Sequence, residues 1–141
     1  MHAPLAPVDA YEAVFEMLAR RDIFAAGRAM LVAHYGKRRH ITTMRHLARD
    51  VYGKPDHRLA NWVYGSFAAR VRRELDVPRP KFEIWVLATW PAPAVDALGE
   101  FACRLRPEVC AALRRLGWVE GRTGKERLPD VQRVVAAARR H

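Results

Sequence analysis

The sequence predicts a mainly α-helical protein that contains one β-hairpin. Over most of its 141 residues, apolar side chains recur every three or four positions, which is the period of an α-helix. Two short stretches depart from that period. One is rich in Val, Ile and Trp, and the next alternates large apolar residues with small or polar ones, as paired strands do. Half of the residues are hydrophobic, which is enough for one domain with a real core.

The first two helices follow a Pro-rich start. Residues 1–8 are expected to be flexible. Asp9 is placed to cap a helix that runs through about Leu18, because its carboxylate can accept hydrogen bonds from the first helical N–H groups. A second helix should cover roughly Ile23–Tyr35, and Gly36 is placed to end it.

A short helix, a polar turn and a longer helix come next. Ile41 is expected to form a short strand, and Thr42 or Thr43 then caps a helix that ends at Gly53. After the turn, the longest helix of the chain should cover roughly Arg58–Leu75. It should stop there because two prolines follow closely, and proline cannot continue a helix.

A hairpin and two further helices complete the predicted order. The strands are placed at Ile84–Trp90 and Glu100–Leu105, with the loop Pro91–Gly99 between them. Pro107 should start a helix, since its fixed φ suits the first helical position. A last helix over roughly Leu128–Arg140 follows a hydrophilic linker.

The order of these elements predicts a winged helix-turn-helix. In that fold the second helix of the motif contacts nucleic acid, and the hairpin after it forms the wing. We place the fold at residues 9–118. Residues 119–141 should form a basic linker and a C-terminal helix.

The longest helix has an apolar face and a polar face, if its residues advance by about 100° each. The apolar face, which should be buried, consists of Leu59, Val63, Phe67, Val71 and Leu75, with Ala60, Tyr64 and Ala68 beside them. The opposite face consists of Arg58, Asn61, Trp62, Gly65, Ala69, Arg72 and Arg73. Glu74 and Asp76 are the only acidic residues near these arginines in the sequence, so the arginines are expected to contact phosphates.

Positive charge is concentrated around the two helices of the motif. Residues 37–81 hold 12 Lys and Arg against 4 Asp and Glu, a balance of +8 out of the net +10 of the chain. Such a balance favours a polyanionic partner, with DNA or RNA first and an acidic protein or a membrane surface second. The alternative is a protein that is merely basic. Further candidate contacts with DNA are Arg38, Arg39, Arg45, Arg49 and Lys54.

Three residues of the polar face have two interpretations each. Gly65 in mid-helix costs about 1 kcal/mol relative to Ala, which indicates that either a DNA groove or another helix approaches the backbone there. The amide of Asn61 matches the edge of an adenine, but it also suits a solvated or capping position. Trp62 fits the rim of the core better than a base-stacking platform.

Residues of catalytic or metal-binding type form no recognised pattern. Cys103 and Cys110 fall on a predicted strand and a predicted helix, which favours two buried thiols over a zinc site. His40, His46 and His57 are scattered, and there is no Gly-rich phosphate loop and no credible carboxylate pair. We therefore expect a non-enzymatic protein without metal or cofactor. No apolar run approaches about 18 residues and no signal pattern is seen, so a cytoplasmic protein without membrane contact is expected.

Five segments occur in an order that resembles a known family. They are Arg28–Leu31 with His34–Tyr35, Ile41–Thr42 with Leu47–Ala48, Asn61 with Tyr64, Gly65 and Ala68, then Arg104–Glu108, and Leu116–Trp118. Over roughly residues 10–118 the chain resembles the amino-terminal winged-helix-like module of HNH-type restriction endonucleases, including those that act on 5-methylcytosine DNA. The resemblance implies DNA binding with a preference for modified bases, with Asn61, Tyr64 and Gly65 as characteristic positions. No HNH cluster follows residue 118, so cleavage is not implied.

Two functions are compatible with these patterns. The first is a DNA-binding module that contacts duplex DNA through the longest helix. The second is a phage- or mobile-element-type protein that inhibits a host defence nucleoprotein complex, such as a restriction or CRISPR complex. The first is favoured because an inhibitor that mimics DNA would be acidic. The hairpin loop, however, has no basic residue, which leaves open an apolar contact with a protein or an exposed base.

Overall fold

Five α-helices and a small antiparallel sheet make up most of the part of the chain that the structure, a computed structural model, describes: residues 4–21, 24–91 and 99–120. The helices are α1 (Val8–Ala19), α2 (Ala25–Tyr35), α3 (Met44–Tyr52), α4 (His57–Leu75) and α5 (Pro107–Arg115). The strands are β1 (Ile41–Thr43), β2 (Ala88–Thr89) and β3 (Ala102–Leu105). The prediction of a mainly helical protein is thus confirmed. Most of the predicted hairpin loop and the predicted final helix lie outside the described residues.

Each of the two helices of the predicted motif begins directly after a residue whose side chain caps it. The Thr43 hydroxyl accepts a hydrogen bond of 3.2 Å from the N–H group three residues later, which caps α3. Gly53 ends α3 in the left-handed conformation, with φ of 76°. Asp56 caps α4 by accepting bonds of 3.1 and 3.3 Å from the N–H groups two and three residues later. The helix therefore begins at His57, one residue before the predicted start.

The first two helices begin differently from the prediction. Asp9 is not a cap, because α1 already begins at Val8 and the Asp9 carboxylate lies in the first turn, in an ion pair with Arg115. The described part of α2 begins at Ala25, and Ile23 lies outside the described residues. Gly36 ends α2 as predicted.

The first predicted strand of the hairpin is wrong over most of its length. Glu83–Val86 form a 3-10 turn that packs against α4, and β2 contains only two residues. The side chain of Arg106 holds this turn, since its Nε donates a 2.7 Å hydrogen bond to the carbonyl of Trp85. The Val, Ile and Trp side chains that suggested a strand are thereby buried or half-buried without strand pairing.

The sheet has the order β1–β3–β2, with all pairs antiparallel. Strand β3 lies in the centre, where Arg104 is opposite both Ile41 of β1 and Thr89 of β2. The short predicted strand at Ile41 is therefore confirmed, and it joins the hairpin strands in one sheet. Because α3 and α4 lie between β1 and β2 in the chain, the sheet ties both ends of the two-helix segment together.

The core lies between the helices and includes the predicted apolar face of α4, slightly rotated. Its buried members are Ala60, Tyr64, Phe67, Ala68 and Val71. Leu59, Val63 and Leu75 are only partly buried, so the most buried line of α4 runs closer to Tyr64 than predicted. Val119, one residue beyond the predicted domain boundary, is also part of the core.

The close approach of α2 to α4 depends on Gly27. A Cβ added to Gly27 would lie 2.2 Å from Cδ1 of Phe67, a distance that no packed structure tolerates. The Phe67 ring also packs against Phe15 and Phe24, with ring centroids 6.3 and 6.2 Å apart. Gly27, which the sequence pattern did not single out, is therefore the helical glycine that a neighbouring element requires. None of the described helices is both long and apolar enough to cross a membrane.

Candidate nucleic-acid interface

The outer face of α4 forms one side of a shallow groove of about 520 Å³. The α4 residues that line it are Asn61, Trp62, Gly65, Ser66, Ala69, Arg72 and Arg73. Across the groove lie Arg79 and Glu83, which follow the helix in the chain. Every residue that the sequence assigned to the outer face lines this groove except Arg58, which is exposed in the first turn of α4.

Trp62 is exposed rather than part of the core rim. Its exposed fraction is 72%, the highest among the large hydrophobic residues of the described chain. The interpretation of Trp62 as a core-rim residue is therefore wrong. Asn61 is exposed next to it and does not cap a helix, since it lies in the second turn of α4.

No described element packs against Gly65. A Cβ added there would have no heavy atom within 4 Å apart from its own helix and chain neighbours. The interpretation of Gly65 as a contact between helices is thus wrong for the described residues. Two interpretations remain: only solvent lies at Gly65, or a molecule outside the described chain approaches the helix backbone at this point.

Gly65→Ala should raise the free energy of unfolding by about 0.5–1 kcal/mol, because Ala has the higher helix propensity and meets open space. Chemical denaturation measures this change. Gly65→Gln, which also meets open space, should fold normally and serves as the bulky counterpart in binding experiments. A loss of stability in either variant would mean that the groove is filled in the folded protein.

Arg72 is not a free cation, contrary to the expectation from its sequence neighbours. Its Nε donates a 2.9 Å hydrogen bond to the Glu83 carboxylate, and Arg79 contacts the other oxygen of that carboxylate at 3.1 Å. This pairing fixes the 3-10 turn to α4. Sequence inspection missed Glu83 because it lies eleven positions further along the chain.

Arg58 and Arg73 are the exposed guanidinium groups of α4 for which no described carboxylate forms an ion pair. The Nε of Arg73 donates a 3.3 Å hydrogen bond to the carbonyl of Ala69, which directs the side chain along the groove. Both groups are therefore available for phosphates, whereas Arg72 mainly shapes the groove.

The other residues predicted to contact DNA lie in two regions: α3 with the turn that follows it, and the 3-10 turn before β1. Arg45, at the start of α3, pairs with Glu100 at 2.9 Å. Arg49 at the end of α3 and Lys54 in the turn before α4 are exposed. Arg38 and Arg39 lie in a 3-10 turn that packs against β3, and neither lines the groove. Arg38 and Arg39, two of the predicted site residues, therefore do not line the groove beside α4.

An aromatic pocket of about 640 Å³ lies next to the groove. Its apolar lining consists of Met44, Phe82, Ile84, Trp90 and Phe101. Its polar lining consists of His57, Asn61, Lys81 and Glu100. Asn61 lines both the groove and the pocket, so the two cavities meet at this residue.

Sequence reasoning missed the pocket because it grouped Phe101 with Cys103 and Leu105 in the alternating pattern of one strand. The structure leaves Phe101 62% exposed and Phe82 43% exposed. The available signal was the density of aromatic residues from Phe82 to Phe101, which a short hairpin cannot bury entirely.

A buried polar cluster holds α4 to the sheet beneath the site. His34 lies 2.9 Å from the Tyr64 hydroxyl through Nδ1 and 2.9 Å from the Cys103 carbonyl through Nε2. Since a carbonyl only accepts, Nε2 carries the proton, and Nδ1 accepts from Tyr64. Burial lowers the pKa of His34 from its ordinary 6.5 to about 4 and raises that of Tyr64 well above its ordinary value. Tyr64, which the resemblance implies to be characteristic, therefore acts in packing.

The cysteines lie where they were predicted. Cys103 on β3 and Cys110 on α5 are both free and buried, and burial raises the pKa of each thiol to about 12. Such thiols are unreactive near neutral pH. His40 donates from Nδ1 to the Tyr35 carbonyl at 2.7 Å. In the described ranges, no group of three or more His, Cys, Asp and Glu side chains is arranged to hold a metal ion.

Comparisons with known proteins return no match for this chain. No family model, no curated protein and no solved structure is significantly similar to it. The groove and the pocket are the features from which a function can be inferred.

Proposed function

We propose that this chain is a DNA-binding protein without catalytic activity, and that the exposed face of α4 is its contact with the duplex. The observation that carries the proposal is the groove at Gly65. There a bare stretch of helix backbone, which no described element covers, lies between exposed cations at both ends of the helix. An α-helix with such a face fits the major groove of B-DNA, which is about 12 Å wide.

The order of elements supports a winged helix-turn-helix as the scaffold. In this proposal α3 and α4 are the two helices of the motif, and β2 and β3 are the strands of the wing. The sheet order β1–β3–β2, with the helix pair inserted between β1 and β2, fits this arrangement. The second helix of the motif then enters the major groove.

The side chains of the face would have different tasks. Arg58 and Arg73 would bind phosphates at the two ends of α4, and Arg49 and Lys54 would extend that contact towards α3. Asn61 would reach a base edge, for which its amide offers one donor and one acceptor. Gly65 would let the duplex approach the helix backbone.

Affinity for duplex DNA should fall at least about a hundredfold between about 50 and 200 mM salt, given about four to six phosphate contacts. The reason is that each neutralised phosphate releases about 0.9 counterion on B-DNA. Fluorescence anisotropy with a labelled duplex measures the slope. Absence of binding at about 50 mM salt and about 10 μM protein would refute the proposal.

Replacing Arg58 and Arg73 together by Gln should weaken binding to all duplexes and reduce the salt slope by about 2. Arg72 is left in place because it pairs with Glu83. The matched control replaces Arg21 and Arg104 by Gln. Both are exposed, neither lines the groove, and the net charge changes equally. Equal losses in the two double variants would show that only the total charge matters, not this face.

The resemblance to restriction-endonuclease modules adds a proposal about the target. It implies a preference for modified bases, and the same titration with a duplex that contains 5-methylcytosine tests it. Equal affinity for the methylated and unmethylated duplex would refute the preference for modified bases but would not contradict the proposed DNA binding.

A further inference from the structure

The aromatic pocket beside α4 is built for a flat ligand. Its rings are linked in a chain from Phe82 through Trp90 to Phe101, with centroid distances of 5.8 and 5.5 Å. Trp90 and Phe101 are nearly parallel, at an angle of 30°. Phe82 and Phe101 remain 43% and 62% exposed at this one cavity, and clustered exposed aromatic surface is typical of binding sites.

The polar side chains of the pocket favour a ligand with hydrogen-bonding edges. The amide of Asn61 and the carboxylate of Glu100 lie at the lining, and Arg45 orients that carboxylate through a 2.9 Å contact. A purely apolar side chain of a protein partner would bury the Asn61 amide without satisfying it, which is costly. A nucleobase stacks on aromatic rings through its faces and hydrogen-bonds through its edge.

The charges around the pocket also fit a nucleotide. Lys81 lies at the lining, and Arg73, which forms no ion pair with a described carboxylate, lines the adjoining groove. Since Asn61 borders both cavities, a strand whose phosphates follow the basic groove can place one base in the pocket. A base in an intact duplex is stacked and paired, so only an unpaired base has a free face and edge to offer.

We propose that the aromatic pocket binds one unpaired nucleobase of a DNA strand held along α4. This inference rests on the proposed DNA-binding function and assigns a second element of recognition to it. The protein would therefore prefer DNA with an unpaired base, such as a single strand or a duplex with a bulge, over perfect duplex.

The test uses the full chain and DNA that contains 2-aminopurine, whose fluorescence is quenched when it stacks on an aromatic ring. Three probes are compared at one salt concentration: a perfect duplex, the same duplex with a single bulged 2-aminopurine, and the single strand. We expect the bulged probe to bind about tenfold more tightly than the perfect duplex, with quenching of its fluorescence.

Phe101→Ala should abolish most of that preference while leaving the affinity for perfect duplex within about twofold, because one stacking contact is lost. Phe101 is 62% exposed, so the variant should keep the wild-type melting temperature. Leu5→Ala is the control, since Leu5 is an exposed large hydrophobic residue that lines neither the groove nor the pocket, and it should retain the preference. Equal affinity for bulged and perfect duplex without quenching would overturn this inference and leave the proposed function intact. Failure of all three probes to bind would overturn the proposed function as well.

Discussion

Phe67→Ala should lower the free energy of unfolding by about 3–5 kcal/mol, the usual cost of truncating a buried phenylalanine. Phe67 lies in the middle of α4 and fills the space between α4, α2 and α1. Its ring packs against Phe15 and Phe24 and against the bare backbone of Gly27. The resulting cavity cannot close easily, because these neighbours lie on two separate elements, α1 and the start of α2. Urea denaturation at neutral pH measures the loss.

The matched control is Trp62→Ala, an aromatic truncation on the opposite face of the same helix. Trp62 is exposed, so this change should alter stability by no more than about 0.5 kcal/mol. Similar losses in the two variants would show that the two faces of α4 are wrongly assigned, and the proposed DNA contact would fail with them.

The contact with Gly27 adds a test of the same packing. Gly27→Ala should destabilise the protein, because overpacking costs about 1–3 kcal/mol and outweighs the gain in helix propensity. Phe67→Leu removes part of the ring that the new methyl group would meet. The double variant should therefore lose at least about 0.5 kcal/mol less than the sum of the two single variants. Strict additivity would mean that the two residues are not in contact.

Local sequence signals predicted the helix ends that are determined by residues within or next to the helix. Thr43 and Gly53 bound α3, and the prolines after α4 mark its end, because capping and proline chemistry act within a few residues. The run before Trp90 was misread because Val, Ile and Trp suit a strand and a buried turn equally well. Residues distant in sequence decide between them: Arg106 donates a hydrogen bond to the Trp85 carbonyl, and the Tyr11 hydroxyl donates one to the Val86 carbonyl.

In the candidate site, too, local sequence patterns predicted the arrangement within one helix but not the contacts between elements. Helical periodicity placed Asn61, Gly65 and Arg73 on one face, since that requires only the geometry of a single helix. It did not predict that Glu83 pairs with Arg72, or that Phe82 and Phe101 both pack against Trp90 in a pocket that Asn61 also lines. These contacts join residues from separate elements, so a pattern within one stretch of sequence does not predict them.

Mild acid should destabilise the protein through His34. The folded state binds a proton at His34 only near pH 4, mainly because the imidazole is buried, whereas the unfolded chain binds it near pH 6.5. Between these values the unfolded state takes up the proton first, so the stability falls as the pH falls through this window. The loss from this residue should reach about 3 kcal/mol near pH 4. Burial also lowers the pKa of His40, which adds to the loss in the same direction.

Denaturation in urea between pH 7.5 and pH 4.5 measures this dependence, and NMR titration of the imidazole gives the His34 pKa directly. Tyr64→Phe removes the hydrogen that Nδ1 accepts, so it should reduce stability already at neutral pH by about 1–3 kcal/mol, the cost of an unsatisfied buried acceptor. A His34 that titrates near its ordinary pKa would show that water reaches the ring. The cluster of His34, Tyr64 and Cys103 would then not join α2, α4 and β3 as a dry contact, and the rigid support that it gives to α4 would have to come from elsewhere in the core.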